Sequence, residues 1–369
     1  PRPLFELGRK QYVPGQLPEP SEVFGELNPT NFAVQAFGDW RTAVAFNDFG
    51  NNELAQIATR LNIDIDMKIT STERLHAFIR PLDSGADFTR CELAGNDKDQ
   101  GCKLQSDLNL ETLFFEGDFG EIFPNLDPYD VHRYDIGFSI GRQPMSFQQG
   151  LLINEDMVDA VTVTRNTVNG GRFLNMRITG VYVESDINRN NNVRDPDARL
   201  YGLFTETDTK FSTINADVAT VYSSNQQFGS NTAFGISSIQ RLHGYHNTYN
   251  TSFHVLASFP HEGATTASGQ GELLFSQISL TPHHSNDLVY LNAFLAIDQF
   301  TSPARGTLAG GPLGQVGILY AASGLGQYGA ALSNQATNAA GGSLGYQLFY
   351  DKTRQQLIFF KNYTLKKSL

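Results

Sequence analysis

From Leu61 to Thr70 every second residue is apolar: Leu61, Ile63, Ile65, Met67 and Ile69 point one way, and Asn62, Asp64, Asp66, Lys68 and Thr70 the other. That is the period of a strand with one wet face. Ser71 to Arg74 reads as a tight turn, after which Leu75, Ala77 and Ile79 oppose His76, Phe78 and Arg80, so the two runs form a hairpin. The pattern returns at Tyr134–Gln143, Ile214–Tyr222, Phe253–Phe259 and Val289–Ile297. Counting such runs predicts about 16 strands, several close to the roughly 9–11 residues that cross a bilayer at a tilt. A short helical stretch at 52–60 is conceivable, but strand fits its pattern better. The fold class expected is all-β, a single antiparallel up-and-down β-barrel with long loops on one rim.

Soluble sandwiches alternate too, and three features favour a transmembrane barrel. The strands are long and follow one another as hairpins, some with short turns such as Asp351–Arg354 and others with long polar loops. The polar-face positions Asp64, Asp66, Lys68, Arg80, Asp135, Arg177 and Asp217 carry charges that a dry interior could not hold unpaired and a water-filled lumen holds easily. Tyr182, Tyr201, Tyr222, Phe259, Phe300, Tyr346 and Tyr350 fall near strand ends, where interfacial girdles lie. The single Trp is fewer than such girdles often use.

Composition agrees with that choice: Gly (34) and Phe (27) are abundant and Met (4) is scarce. No window reaches the ~20 continuous apolar residues of a membrane helix, which excludes a helical membrane protein. The net charge of −11, without Lys/Arg clusters, makes nucleic acid an unsuitable partner. Cys91 and Cys102 lie close in sequence in a polar segment and can close a small loop by a disulfide, which points to an oxidising compartment. Two unpaired thiols are the alternative, and zinc lacks a second ligand pair. The chain opens at Pro1 without Met, so a presequence was removed or the numbering trimmed.

Residues 1–31 are Pro-rich and barely alternate. They read as an extension that runs through the lumen, binds a partner or is a solvated tail, with one barrel domain over 32–369. Gly306–Gly342 is rich in Gly and Ala around a strand expected at Gln315–Ala321, and reads as an exterior loop or one folded back into the pore. In Asp186–Asp197, Asp186, Asn188, Asn190 and Asp197 stand at positions 1, 3, 5 and 12, the spacing of a calcium loop. A solvated hairpin loop is the other reading. His76, His132, His243, His246, His254, His261, His283 and His284 form no recognisable set with Ser or carboxylates, and no phosphate loop, dinucleotide fingerprint or nucleophile elbow is present, so no enzyme is expected.

Gly141-Arg142-Gln143 at a strand end, followed by the apolar Leu151-Leu152-Ile153 and acidic Glu155-Asp156, resembles large outer-membrane barrel channels, including the alginate-export type of porin. Thr72–Phe78 with Arg80-Pro81-Leu82, Phe114–Gly117 and Leu344–Tyr350 strengthen the resemblance, which spans roughly 60–360. It implies a passive pore in the outer membrane of a Gram-negative bacterium, in contact with lipid and lipopolysaccharide, for small hydrophilic solutes. Arg142 joins the seven charged positions above as a candidate pore-lining residue, although alternation sends it outward with Ile140 unless the strand bulges at Gly141. Such barrels usually end in an aromatic residue, whereas this chain ends in Leu369. A barrel sheathing a periplasmic partner such as an electron carrier, a homo-oligomer, and a secreted adhesive β-protein are the competing expectations.

Overall fold

The computed structural model describes residues 30, 32–48, 53–84, 87–94, 101–126, 129, 134–171, 173–243, 248–283, 285–306, 310–313, 335–350 and 355–366. These hold 22 strands, 18 of them in one sheet. The count exceeds the 16 expected because alternation cannot register strands of two to five residues, and several such pieces sit in the loops. Setting aside three short members of the sheet, Arg90–Ala94, Gly101–Lys103 and Ala304–Arg305, leaves fifteen strands in a continuous meander. They are β1 (Ala33–Asp48), β2 (Glu53–Lys68), β3 (Arg74–Ile79), β4 (Leu110–Asp118) and β5 (Ile136–Phe147). Next come β6 (Ile153–Gly170), β7 (Phe173–Val183), β8 (Arg199–Asp208), β9 (Thr213–Tyr222) and β10 (Asn231–His243). The last are β11 (Thr248–Pro260), β12 (Gly271–Thr281), β13 (Leu288–Gln299), β14 (Thr337–Tyr350) and β15 (Gln355–Lys366). Each pairs antiparallel with the next. Among the described residues β1 and β15 do not pair with each other.

The connections sort by rim. Short ones (69–73, 171–172, 209–212, 282–287) lie at one end together with 119–135, whose one-turn helix α1 (Phe119–Ile122) is capped by Asp118. The described residues at the ends of the long ones (80–84 and 104–109, 184–198, 261–270, 300–303 and 335–336) lie at the other. Residues 1–29, the expected strand at Gln315–Ala321, the Asp351–Arg354 turn and Leu369 lie outside the described residues. Cys91 and Cys102 are cross-strand partners in the 80–109 connection and form a disulfide.

The faces differ as the alternation requires. Val218, Phe234, Ile236, Val255, Leu291 and Leu295 occupy one face, most of them exposed, in a band far larger than the few hundred Å² of apolar patch a soluble monomer shows. At its long-loop edge Tyr182, Tyr201, Tyr222 and His261 stand in a row with successive ring centroids 5.2, 6.1 and 5.3 Å apart. Phe300 does not belong to a rim: it is buried inside, because the connection that carries it turns inward. The opposite face carries polar and charged side chains toward the short-turn end and a dry apolar cluster toward the long-loop end.

Gly141 sits in this frame at φ +127°, and a Cβ there would lie 2.4 Å from the Leu113 carbonyl oxygen. Gly141→Ala is therefore expected to cost about 1–3 kcal/mol, measured as a lower temperature at which the folded, detergent-resistant form is lost.

Candidate pore and its infolded turn

The turn between β5 and β6 leaves the rim and enters the interior. Gln148, Gln149 and Gly150 all take positive φ (55°, 55° and 78°), which folds the tip back over the inner face. There Gln148 Nε2 donates to Asp217 Oδ2 on β9 at 2.7 Å, and Asp217 Oδ1 accepts from the Thr205 amide at 2.9 Å. His254 on β11 places Nδ1 2.8 Å from Gln148 Oε1 and Nε2 3.1 Å from Gln149 Oε1. Gly235 makes room on β10, since a Cβ there would lie 3.0 Å from the Gln148 Cγ. Beyond these polar contacts Leu151, Leu152 and Ile153 are 0% exposed. They pack against inward residues of β6 to β14, among them Val181, Leu200, Val221, Leu256, Leu273 and Phe294.

A second inward segment holds the tip. Ala304–Arg305 pairs in parallel with Ile153–Asn154, the Gly306 amide donates to Asn154 O at 2.7 Å, and Ser302 Oγ donates to Leu152 O. The Arg305 guanidinium is fully buried and donates through Nη1 to Gly150 O (2.7 Å) and through Nε to Gly310 O (3.0 Å). Tip and segment together fill the long-loop end of the interior on the β6 to β14 side.

Two cavities lie among the described residues beside this filling. One of about 970 Å³ reaches the short-turn end and is lined by Arg74, Glu116, Asp118, Arg177, Glu206 and Asp217, with Phe147 to Gln149 at its depth. Another of about 370 Å³ lies between β1 to β4 and Pro144. Pro144, beside the infolded turn, lines both. The paired charges of β1 to β4 line the same sector: Arg60–Asp83 at 2.7 Å, Arg80–Glu111 at 3.2 Å, Arg74–Asp66 at 3.7 Å and His76–Glu116 at 3.0 Å.

Of the charged positions singled out from sequence, Asp64, Asp66 and Arg80 border the smaller cavity, and Arg177 and Asp217 the larger. Arg177 is bonded to Glu206 at 2.7 Å. Lys68 closes β2 at the short-turn end opposite Arg74. Asp135 lies just before β5 and accepts from Asn166 Nδ2 at 3.3 Å. Arg142 is a correction. Ser139 and Gln143, bonded side chain to side chain, keep one face through Gly141, so Arg142 stands on the other with Ile140, opposite Leu113 and Asp159.

The calcium-loop spacing does not produce a converging ligand set. Ile187–Asn188 and Arg194–Asp195 pair as a small hairpin. Asp186 is ion-paired with Arg194 at 2.7 Å, and Asn190 Oδ1 accepts from the Ser302 amide at 2.9 Å. Asp197 donates its own amide to Asp195 at 3.3 Å. Within the loop the buried Arg189 meets Asp195 at 3.0 Å. Burial pushes the Arg189 pKa down, and the Asp195 carboxylate opposes that shift. A guanidinium already provides the cation that these oxygens attract. Among the described residues no three His, Cys, Asp or Glu side chains gather as a metal site. His246 and His284 lie outside those residues. Sequence reasoning passed over Gln148, Gln149 and Arg305, and gave His254 no structural part; only the positive-φ run beside Gly150 leaves a local trace.

An up-and-down antiparallel sheet with an apolar outer band, charged inner face and infolded turn is the architecture of outer-membrane porins. In particular, the chain is similar to OccK2 (OpdF) of Pseudomonas aeruginosa, with TM-score 0.56 and 8% identity over 89% of this chain and 80% of that one. A BenF-like porin from Pseudomonas fluorescens Pf-5 gives 0.55 and 8% over 89% and 82%. OccAB3 of Acinetobacter baumannii gives 0.54 and 10% over 90% and 81%. Neither a family model nor a curated protein sequence matches the chain.

Proposed function

We propose that the chain forms a closed barrel in the outer membrane of a Gram-negative bacterium and passes small hydrophilic solutes by passive diffusion. The observation that carries this is the division of the faces, with an exposed aliphatic band and aromatic edge outside and ionised side chains around cavities inside. A bilayer satisfies the first and water the second. Closure brings β1 to β15; the two run in the same direction, so the seam is parallel unless a further strand intervenes. Solutes pass along the β1 to β5 sector, since the dry cluster occupies the other side.

The larger cavity is lined by four carboxylates, Glu116, Asp118, Glu206 and Asp217, against two guanidinium groups, Arg74 and Arg177. OccK2 has been solved with glucuronate, an anion; the charge balance here favours cations instead. In a planar bilayer the purified protein is expected to give stable open steps and, under a KCl gradient, a reversal potential corresponding to roughly 3- to 10-fold preference for potassium over chloride. A folded protein without steps would defeat the pore reading, and chloride preference would defeat the selectivity.

A further inference from the structure

The smaller cavity has the chemistry of an organic-cation site. Strand register sets out its wall. Asp64 on β2 lies directly between Phe37 on β1 and Phe78 on β3, and in the next row Asp66 lies beside His76, which lies beside Phe114 on β4. All of these border the same space of about 370 Å³, within the range of pockets that hold small organic molecules. The charges around it are matched one by one, with a single remainder. Arg80 is held by Glu111 at 3.2 Å, and Asp66 faces both Arg74 and His76 at 3.7 Å. Among the described residues Asp64 has neither an ion pair nor a hydrogen bond. One aromatic face already meets a cation, since the Arg80 guanidinium lies 5.7 Å from the Phe78 ring centroid, and the His76 ring stacks on Phe114 at 4.7 Å.

We propose that this cavity binds a small organic ammonium ion, its charge facing Asp64 and its alkyl surface against Phe37, Phe78 and Phe114. A carboxylate between aromatic rings suits this ligand twice over: the rings attract the cation through their quadrupoles and exclude water, and the carboxylate then acts in a less screened setting. A hydrated metal ion would find too few oxygens and too much hydrocarbon, and a solute anion would meet Asp64 unshielded. The site rests on the pore reading for its access and makes it selective: the cavity shares Pro144 with the larger one, so an ammonium solute would pause there on its way through.

The test is calorimetric titration of the folded, detergent-purified protein with choline, and with its neutral isostere 3,3-dimethylbutan-1-ol. Choline is expected to bind, and the alcohol about tenfold more weakly or not measurably. Asp64→Asn, which keeps side-chain size, is expected to weaken choline about tenfold, and Phe78→Leu several-fold. Equal binding of the two probes, choline binding unchanged in Asp64→Asn, or no choline binding to the unaltered protein would each overturn the site. If Asp64→Asn does not fold, Phe78→Leu and the isostere comparison decide alone. Binding of choline by a protein that gives no KCl current would refute the pore and leave the site standing; current without choline binding would do the reverse.

Discussion

Replacing Arg305 with methionine is expected to raise single-channel conductance and make the open current noisy. The methionine keeps most of the volume but removes the donors that meet Gly150 O and Gly310 O. Both groups lie where the tip and the 300–306 segment close over each other, and Arg305 itself is 0% exposed. Gly150 O is left without that donor, at a cost of about 1–3 kcal/mol, while Gly310 O keeps the Asn192 Nδ2 donor at 3.0 Å, so the contact between the two inward pieces weakens by about 1–3 kcal/mol. The segment keeps its parallel bridge, the Ser302 to Leu152 bond and its bonds to Asn190 and Asn192, so it loosens against the tip rather than leaving its place. Arg305→Lys keeps the charge but offers no planar fork for two carbonyls at different angles, and should fall between the two. Bilayer recordings of the three proteins at equal voltage check this order. Traces that do not differ would mean that apolar packing alone keeps the tip in place.

Leu152→Asp is expected to go further and empty the long-loop end of the interior. Leu152 is wholly buried in a cluster of apolar side chains drawn from β6 to β14. A charge there costs several kcal/mol or drives the tip out into water, at the further cost of the bonds that Gln148 and Gln149 make to Asp217 and His254. Leu152→Ala, which leaves only a cavity, costs about 2–5 kcal/mol and should loosen the tip without expelling it. Measured conductance is expected to rise in the order wild type, Leu152→Ala, Leu152→Asp. The sheet keeps its own ladder of backbone bonds in all three, so heat resistance of the folded form in detergent should change much less than the current. Equal loss of both would mean that the tip is part of what holds the wall together.

Much of the wall was legible. The run Leu61–Thr70 assigned Asp64 and Asp66 to one face and Ile63 and Ile65 to the other, and the structure keeps that division through β2 and β3. Arg142 was missed where an exception to alternation was invoked: Gly141 does take an unusual φ, yet Ser139 and Gln143 stay on one face across it. The calcium spacing was read from oxygens alone. Counting oxygens along Asp186–Asp197 takes no account of Arg189 and Arg194, whose guanidinium groups engage the carboxylates instead. The short loop strands escaped notice because two residues carry no period.

The sequence by itself determined the antiparallel strands and their wet and dry faces, because a strand's pleat and a hairpin's pairing are written in residues two, or a few, apart. Only the tertiary structure decided that the β5–β6 turn folds inward, that Arg305 meets a carbonyl 155 positions away, and that Asp64 stands between Phe37 and Phe78. Those contacts depend on which strands come to lie side by side and which loops reach across the interior, and no local spacing carries that information.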